Sequence, residues 1–340
     1  MFFCIANFVY RRLKVLLALI AVSLIAFTFI SCGDDEDPKK FDVYLFGTQY
    51  NVPTYWLNGD PTPLSSGNGY LVGGAVLGDD IYAAGVEGNK AVYWKNGSVI
   101  PLTNGTTPVS VLAMTVSGLD VYVAGLENST AKYWKNQQET LLPVNVADVL
   151  ATGVSDIEVV NSDVHVVGFV SKADSVLAVY WKNGIVQSIL REGKYNYMHV
   201  IKVVGPDIYI LGSVNNANNI RVLKRWKNGV EATLTDGLTD AYSTDMDVQG
   251  EDVYISGVSS GIAVYWKNSE VYPLTELSVE RSAEAVAIQV VSGAVFVAGN
   301  LIDNNNVRIG GTLWRDGKLQ GPFIGNATGM RISAMIITER

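Results

Sequence analysis

The sequence predicts an all-β fold, a seven-bladed β-propeller closed by the C-terminal strand completing the first blade. Three observations carry this: a tryptophan-centred repeat, strand-like runs punctuated by Asn-Gly and Gly-Asp turns, and chain ends that each resemble half a blade. The repeat reads YWLNG at 55–59, YWKNG at 93–97, YWKNQ at 133–137, YWKNG at 180–184, RWKNG at 225–229, YWKNS at 265–269 and LWRDG at 313–317. Trp56, Trp94, Trp134, Trp181, Trp226, Trp266 and Trp314 are every tryptophan in the chain, spaced by 38, 40, 47, 45, 40 and 48 residues. One four-stranded blade uses roughly 40–50 residues, so this period marks blades around an axis.

Residues 1–31 stand outside the repeat. Arg11, Arg12 and Lys14 precede a 16-residue apolar run, VLLALIAVSLIAFTFI, that ends at Ser31-Cys32. A basic head, a short apolar stretch and a small residue before the cut make a secretory signal. The run is shorter than the ~20 residues that span a bilayer, although an uncleaved anchor is the alternative. Phe29-Ile30-Ser31-Cys32 resembles a bacterial lipobox, and the resemblance implies that Cys32 is lipidated as the first residue of the mature chain. The acidic GDDED that follows at 33–37 resembles the export tag of surface lipoproteins in the Bacteroidetes; acidic runs also serve simply as solvated tethers. The expected division is a signal at 1–31, a lipidated tether at 32–40 and a propeller at 41–338.

The only other cysteine, Cys4, lies inside the signal, so the mature chain has no disulfide and no cysteine metal site. Losing the signal removes three positive charges and moves the formal charge from -8 to -11. That sign repels nucleic acid and anionic membranes, and no basic cluster opposes it.

Within a repeat, strand A is an apolar stretch such as VLAMTV (111–116), and strand B follows a tight turn as DVYVAG (120–125), DIYAAG (80–85), DVHVVG (163–168), DIYILG (207–212), DVYISG (252–257) or AVFVAG (294–299). Strand C is AVYWK or a variant, and strand D is a short segment such as SVIPLT (98–103). β-Branched and aromatic alternation bounded by Gly, Asn and Asp is strand chemistry, and no helical period competes after residue 40. Asn-Gly joins C to D in four blades and Asp316-Gly317 in a fifth, the residues that accept positive φ in a two-residue hairpin. A–B and C–D turns therefore share one face of the disc, where the recurring Asp before strand B reads as a turn residue. The opposite face carries B–C loops and D-to-A crossovers that vary from VSSG (258–261) to VNNANNIRV (214–222) and NLIDNNNVRIGG (300–311). Variable loops on a rigid repeated scaffold are where binding function is usually placed. FDVYLFG (41–47) is a strand B without a strand A, and RISAMIIT (331–338) is a strand A without a strand B. Joining them closes the ring and removes open sheet edges. The tryptophans are read as packing between blades.

The YWKNG pattern, with a tryptophan and an Asn-Gly turn in each unit, resembles the repeats of bacterial extracellular propellers of the HAF type over essentially all of 41–338. The resemblance implies the architecture and names no activity. The pairing of WD repeats, the kelch glycine position, the sialidase box and the quinone-enzyme docking motif are missing.

Chemistry is sparse. His165 takes a tyrosine position in its strand B, and His199 lies in a strand A beside Tyr197; neither has the partners of a metal site or a Ser-His-Asp constellation. Asp156/Glu158 and Asp245/Asp247 alternate on one face of inner strands and are read as lining the axial channel, where carboxylate pairs would also suit a glycosidase. The Asn/Asp-rich 214–219 and 302–306 lack calcium-loop spacing. Asp174-Ser175-Val176 resembles an O-glycosylation site of Bacteroidetes secreted proteins. Stacking the strand A starts without gaps aligns Ser110 with Tyr70, Gly153, Tyr197, Tyr242, Glu284 and Arg331, a ring expected at the channel mouth with the amphipathic character that suits sugars or peptide side chains.

The expected function is a monomeric, lipid-anchored outer-membrane module at the cell surface that binds glycan or protein through its variable face. No cofactor, metal or catalytic residue is expected, and the membrane is met only through the anchor. Two alternatives stand beside it: a carboxylate-dependent glycan hydrolase or lyase at the channel mouth, and a structural subunit of an outer-membrane complex.

Overall fold

The computed structural model describes residues 40–274, 281–320 and 329–340. The chain divides into a unit of Asp42–Thr338 and a second of Met1–Phe41 with Glu339–Arg340, the latter almost wholly outside the described residues. The signal and Cys32 tether lie there too. No helix among the described residues is long and apolar enough to cross a membrane.

The protein is a seven-bladed β-propeller. Seven four-stranded sheets are present, six built from consecutive strands and one from both ends of the chain. In the composite sheet, blade 1, the order is Met330–Glu339, Phe41–Gln49, Val52–Leu57, Asp60–Pro63. The innermost strands of blades 2 to 7 are Gly69–Leu77, Val109–Ser117, Ala151–Val160, Asn196–Val204, Ala241–Gln249 and Arg281–Val291. All elements among the described residues are strands and turns.

The repeat motif is explained residue by residue. Each tryptophan is buried, six of them at 2 % exposure or less. Outside blade 1 the indole packs on the preceding blade: Trp134 of blade 3 clusters with Tyr82 and Ala84 of blade 2, and Trp181 of blade 4 with Tyr122 and Ala124 of blade 3. The core thus lies between sheets and is renewed at every interface. The lysine and asparagine after the tryptophan serve the turn face. In blade 3, Asn136 Nδ2 donates to Asp120 at 2.9 Å, its Oδ1 accepts from the Val121 amide at 3.0 Å, and Lys135 pairs with Asp120 at 2.7 Å. The same triangle recurs at Asp80/Lys95/Asn96, Asp163/Lys182/Asn183, Asp207/Lys227/Asn228 and Asp252/Lys267/Asn268. These asparagines hold φ near +50° to +57°, the left-handed turn that Asn tolerates best after Gly. The recurring Asp is therefore a turn residue locking two hairpins together.

The lysines also lie over the strand B tyrosine, as Lys135 over Tyr122 at 5.5 Å. His165 replaces that tyrosine in blade 4, where it is buried and bonds the Tyr180 hydroxyl at 2.7 Å through Nδ1.

Two loops differ from expectation. Strands run on through Asn215 and Asp303 and resume at Arg221 and Arg308, so 214–222 and 300–311 are mostly hairpin rather than loop. Their tips are self-satisfied: Asn216 Oδ1 accepts the amides of Asn218 and Ile220, and Asp303 Oδ1 those of Asn305 and Val307. Side-chain-to-backbone turns of this kind consume the oxygens that a cation would need.

Candidate functional site

The axial end of the innermost strands is built on one repeated steric device. Strand B of every blade carries a glycine: Gly47, Gly85, Gly125, Gly168, Gly212, Gly257 and Gly299. A Cβ there would fall 1.9–2.5 Å from the carbonyl oxygen of Arg331, Tyr70, Ser110, Gly153, Tyr197, Tyr242 and Glu284 respectively, far inside contact distance. Only glycine allows the inner strand this close, so these seven positions are equivalent by structure. They are the seven aligned from sequence.

Immediately beyond, each inner strand of blades 2 to 7 makes a β-bulge, at 71/73, 111/113, 154/156, 198/200, 243/245 and 285/287. The skipped residues Val72, Leu112, Ser155, His199, Thr244 and Val286, with Ser333 of the closing strand, line a channel cavity of about 270 Å³. A bulge inserts one residue and re-aims its side chain, which places this second ring in the channel.

Above it lies a mouth cavity of about 540 Å³ that gathers Tyr242, Glu284, Arg331, Tyr70 and Ser110, the ring residues of blades 6, 7, 1, 2 and 3. Arg308, reaching in from the lengthened B–C hairpin of blade 7, donates from Nη2 to Glu284 Oε2 at 2.9 Å and from Nε at 3.3 Å. Arg221 lies over the Tyr242 ring at 5.2 Å and forms a bidentate pair with Asp240. The Tyr70 hydroxyl accepts the Val111 amide at 3.3 Å, while the ring remains exposed. Arg331 is exposed and has no ion-pair or hydrogen-bond partner among the described residues.

Tyr197 is not part of this cavity, contrary to expectation. Phe169 occupies the space over Gly153, where a Cβ would meet its ring at 2.4 Å, and packs edge-on against Tyr197 at 5.8 Å. Tyr197 also leans on His199, so blades 4 and 5 form an aromatic wall and the opening is one-sided.

Three of the four inner carboxylates are clamps, while Glu158 faces Lys202 at 4.0 Å. Asp156 Oδ1 accepts its neighbour Ile157 and Oδ2 accepts Ile201 of the next blade; Asp245 joins Met246 to Ile288, and Asp247 joins Val248 to Val290. Gln289 does the same for Ile337, and Asn300 holds both polar groups of Ile332 in the closing strand. Inner edges that would otherwise expose free amides are thereby saturated. Burial pushes Asp156 up to about 7 against the pull of Lys202 and these amides. For Lys202 burial acts downward, but Glu158, Asp245, Asp156 and Asp247 outweigh it and hold the ammonium above its usual range. Burial pushes His199 down to about 4; its neutral ring bridges the Ser243 and Ser213 hydroxyls at 3.0 and 3.1 Å. The candidates missed from sequence are Arg308 and the bulge residues. The unusual length of the 300–311 segment was the only signal for the former.

No protein-family model matches the chain, and no curated protein sequence does. Among solved structures it resembles a Mycobacterium tuberculosis puromycin-hydrolyzing peptidase, with TM-score 0.54 at 7 % identity, over 84 % of this chain and 52 % of the other. Oligopeptidase B from Trypanosoma brucei gives 0.47 at 10 % identity, over 87 % and 47 %. The extracellular domain of a hybrid two component system from B. thetaiotaomicron gives 0.47 at 10 % identity, over 86 % and 38 %. The chain spans about half the length of the two peptidases. The likeness is one of fold.

Proposed function

We propose that the chain is a binding module, anchored through lipidated Cys32 to the outer membrane and displaying the 41–338 propeller at the cell surface as a monomer, with its ligand entering the axial mouth. One observation supports this above the others. A single structural position, repeated in seven blades and set by a glycine in the facing strand, carries different side chains around the ring and opens in five adjacent blades onto one cavity. Its volume lies within the roughly 300–1,000 Å³ of sites that enclose small ligands or chain ends. Tyrosine faces and paired charges suit a glycan or a protein segment. Of the channel carboxylates that a hydrolase would need, Asp156, Asp245 and Asp247 are engaged by backbone amides and Glu158 faces Lys202, and Glu284 is the only carboxylate lining the mouth among the described residues. The full chain, purified in detergent, should bind members of a glycan or peptide array, and Tyr242→Ala should abolish the signal. An array that stays blank, or binding indifferent to Tyr242→Ala, contradicts the reading. Radiolabelled fatty acid entering the wild type but not Cys32→Ala tests the anchor.

A further inference from the structure

Resting on that reading, the chemistry of the mouth narrows the ligand. We propose that it takes an acidic saccharide, a uronic-acid unit whose carboxylate pairs with Arg331 while its ring packs against Tyr70.

Arg331 has no structural reason to be arginine. The equivalent positions carry Tyr, Ser, Gly, Tyr, Tyr and Glu, and the backbone there is set by Gly47, not by the side chain. The other cations of this region are committed: Arg308 to Glu284, and Arg221 to Asp240 and the Tyr242 ring. Arg331 alone presents an unpaired guanidinium to the cavity, among the described residues. With Arg308 and Glu284 cancelling, the lining keeps one net positive charge in a protein of formal charge -8. A planar guanidinium matches a carboxylate in two parallel hydrogen bonds. Tyr70, in the neighbouring blade, adds an exposed aromatic face, which meets the apolar side of a pyranose ring.

The same carboxylate on a peptide that docks as an added strand is less well served. A bound peptide strand needs free main-chain groups to pair with. At the mouth those amides are taken: Val111 donates to Tyr70, Leu71 to the Thr48 hydroxyl at 3.2 Å, and Ile332 to Asn300 at 2.7 Å. A saccharide asks only for side-chain donors and a flat apolar surface, which the mouth supplies.

The test is calorimetric titration of the full chain in detergent with oligogalacturonate, oligoalginate and a chondroitin fragment, beside neutral oligosaccharides of matched length and an acidic peptide. At least one acidic saccharide should bind, at least about tenfold more tightly than its neutral counterpart, and Arg331→Ala should remove that difference with Arg331→Lys intermediate. Binding of neutral and acidic sugars alike, or unchanged affinity in Arg331→Ala, overturns the acidic assignment while leaving the mouth as a glycan site. Binding of the peptide alone overturns the saccharide. No binding of any probe overturns this inference together with the glycan half of the reading on which it rests, and only a peptide-array signal lost in Tyr242→Ala would then keep the mouth as a binding site.

Discussion

The turn face and the mouth are made by the same strands, read from opposite ends of the axis. At the turn face, residue identity repeats: Asp, Lys and Asn form one triangle in five blades, with 2.7–3.0 Å contacts throughout. At the mouth only the position repeats; the glycine beneath is invariant across blades, whereas the side chain above it runs from glycine to arginine. Identity is repeated where a side chain closes a turn or fills an interface. It diverges where the backbone alone defines the geometry and the side chain is left to other uses.

That contrast can be broken at the packing end first. Trp134→Ala should destabilise by about 3–5 kcal/mol, because the cavity left between blades 2 and 3 cannot collapse without moving both sheets. Urea unfolding measures it, and a midpoint equal to that of the wild type would remove the packing role. Gly125→Ala comes next. Its Cβ would meet the Ser110 carbonyl at 2.1 Å, and the forced shift should cost about 1–3 kcal/mol in the same assay. A neutral result would mean that the glycine does not set the ring. Asn136→Ala removes two turn hydrogen bonds and leaves alanine at φ +55°, for an expected loss of about 1–2 kcal/mol.

A further effect is pH-dependent and belongs to the bulge ring. His199 is held neutral well below its ordinary value of 6.5, so it contributes stability above about pH 6.5 that is lost as pH falls toward 4. The stability gap between wild type and His199→Gln should therefore narrow on acidification across that window. A gap independent of pH would show that the ring is not buried as described.

The parts of this architecture legible in the sequence are those written in periodic residues. The tryptophans, the Asn-Gly turns and the half-blades at each end marked strand number and closure in advance, and stacking the strand A starts without gaps aligned the ring. The bulges left no trace, since one inserted residue in an apolar strand alters neither composition nor turn signal. The duty of Asp156, Asp245 and Asp247 was equally hidden. Reading it requires the height of one blade's carboxylate relative to the next blade's amide, which spacing along the chain does not encode. Tyr197 was lost to the cavity through Phe169, a cross-strand neighbour of Gly153. An aromatic opposite a glycine was the available signal.

Arg331 and Ile332 are adjacent in the closing strand, one exposed at the mouth and the other buried at 1 %. Ile332→Ala should lower the melting temperature markedly, by the equivalent of about 2–4 kcal/mol. Arg331→Ala should melt with the wild type yet lose the thermal upshift given by acidic oligosaccharide. An Arg331→Ala protein that is destabilised like Ile332→Ala, or that keeps the full ligand shift, would contradict the separation of scaffold from site.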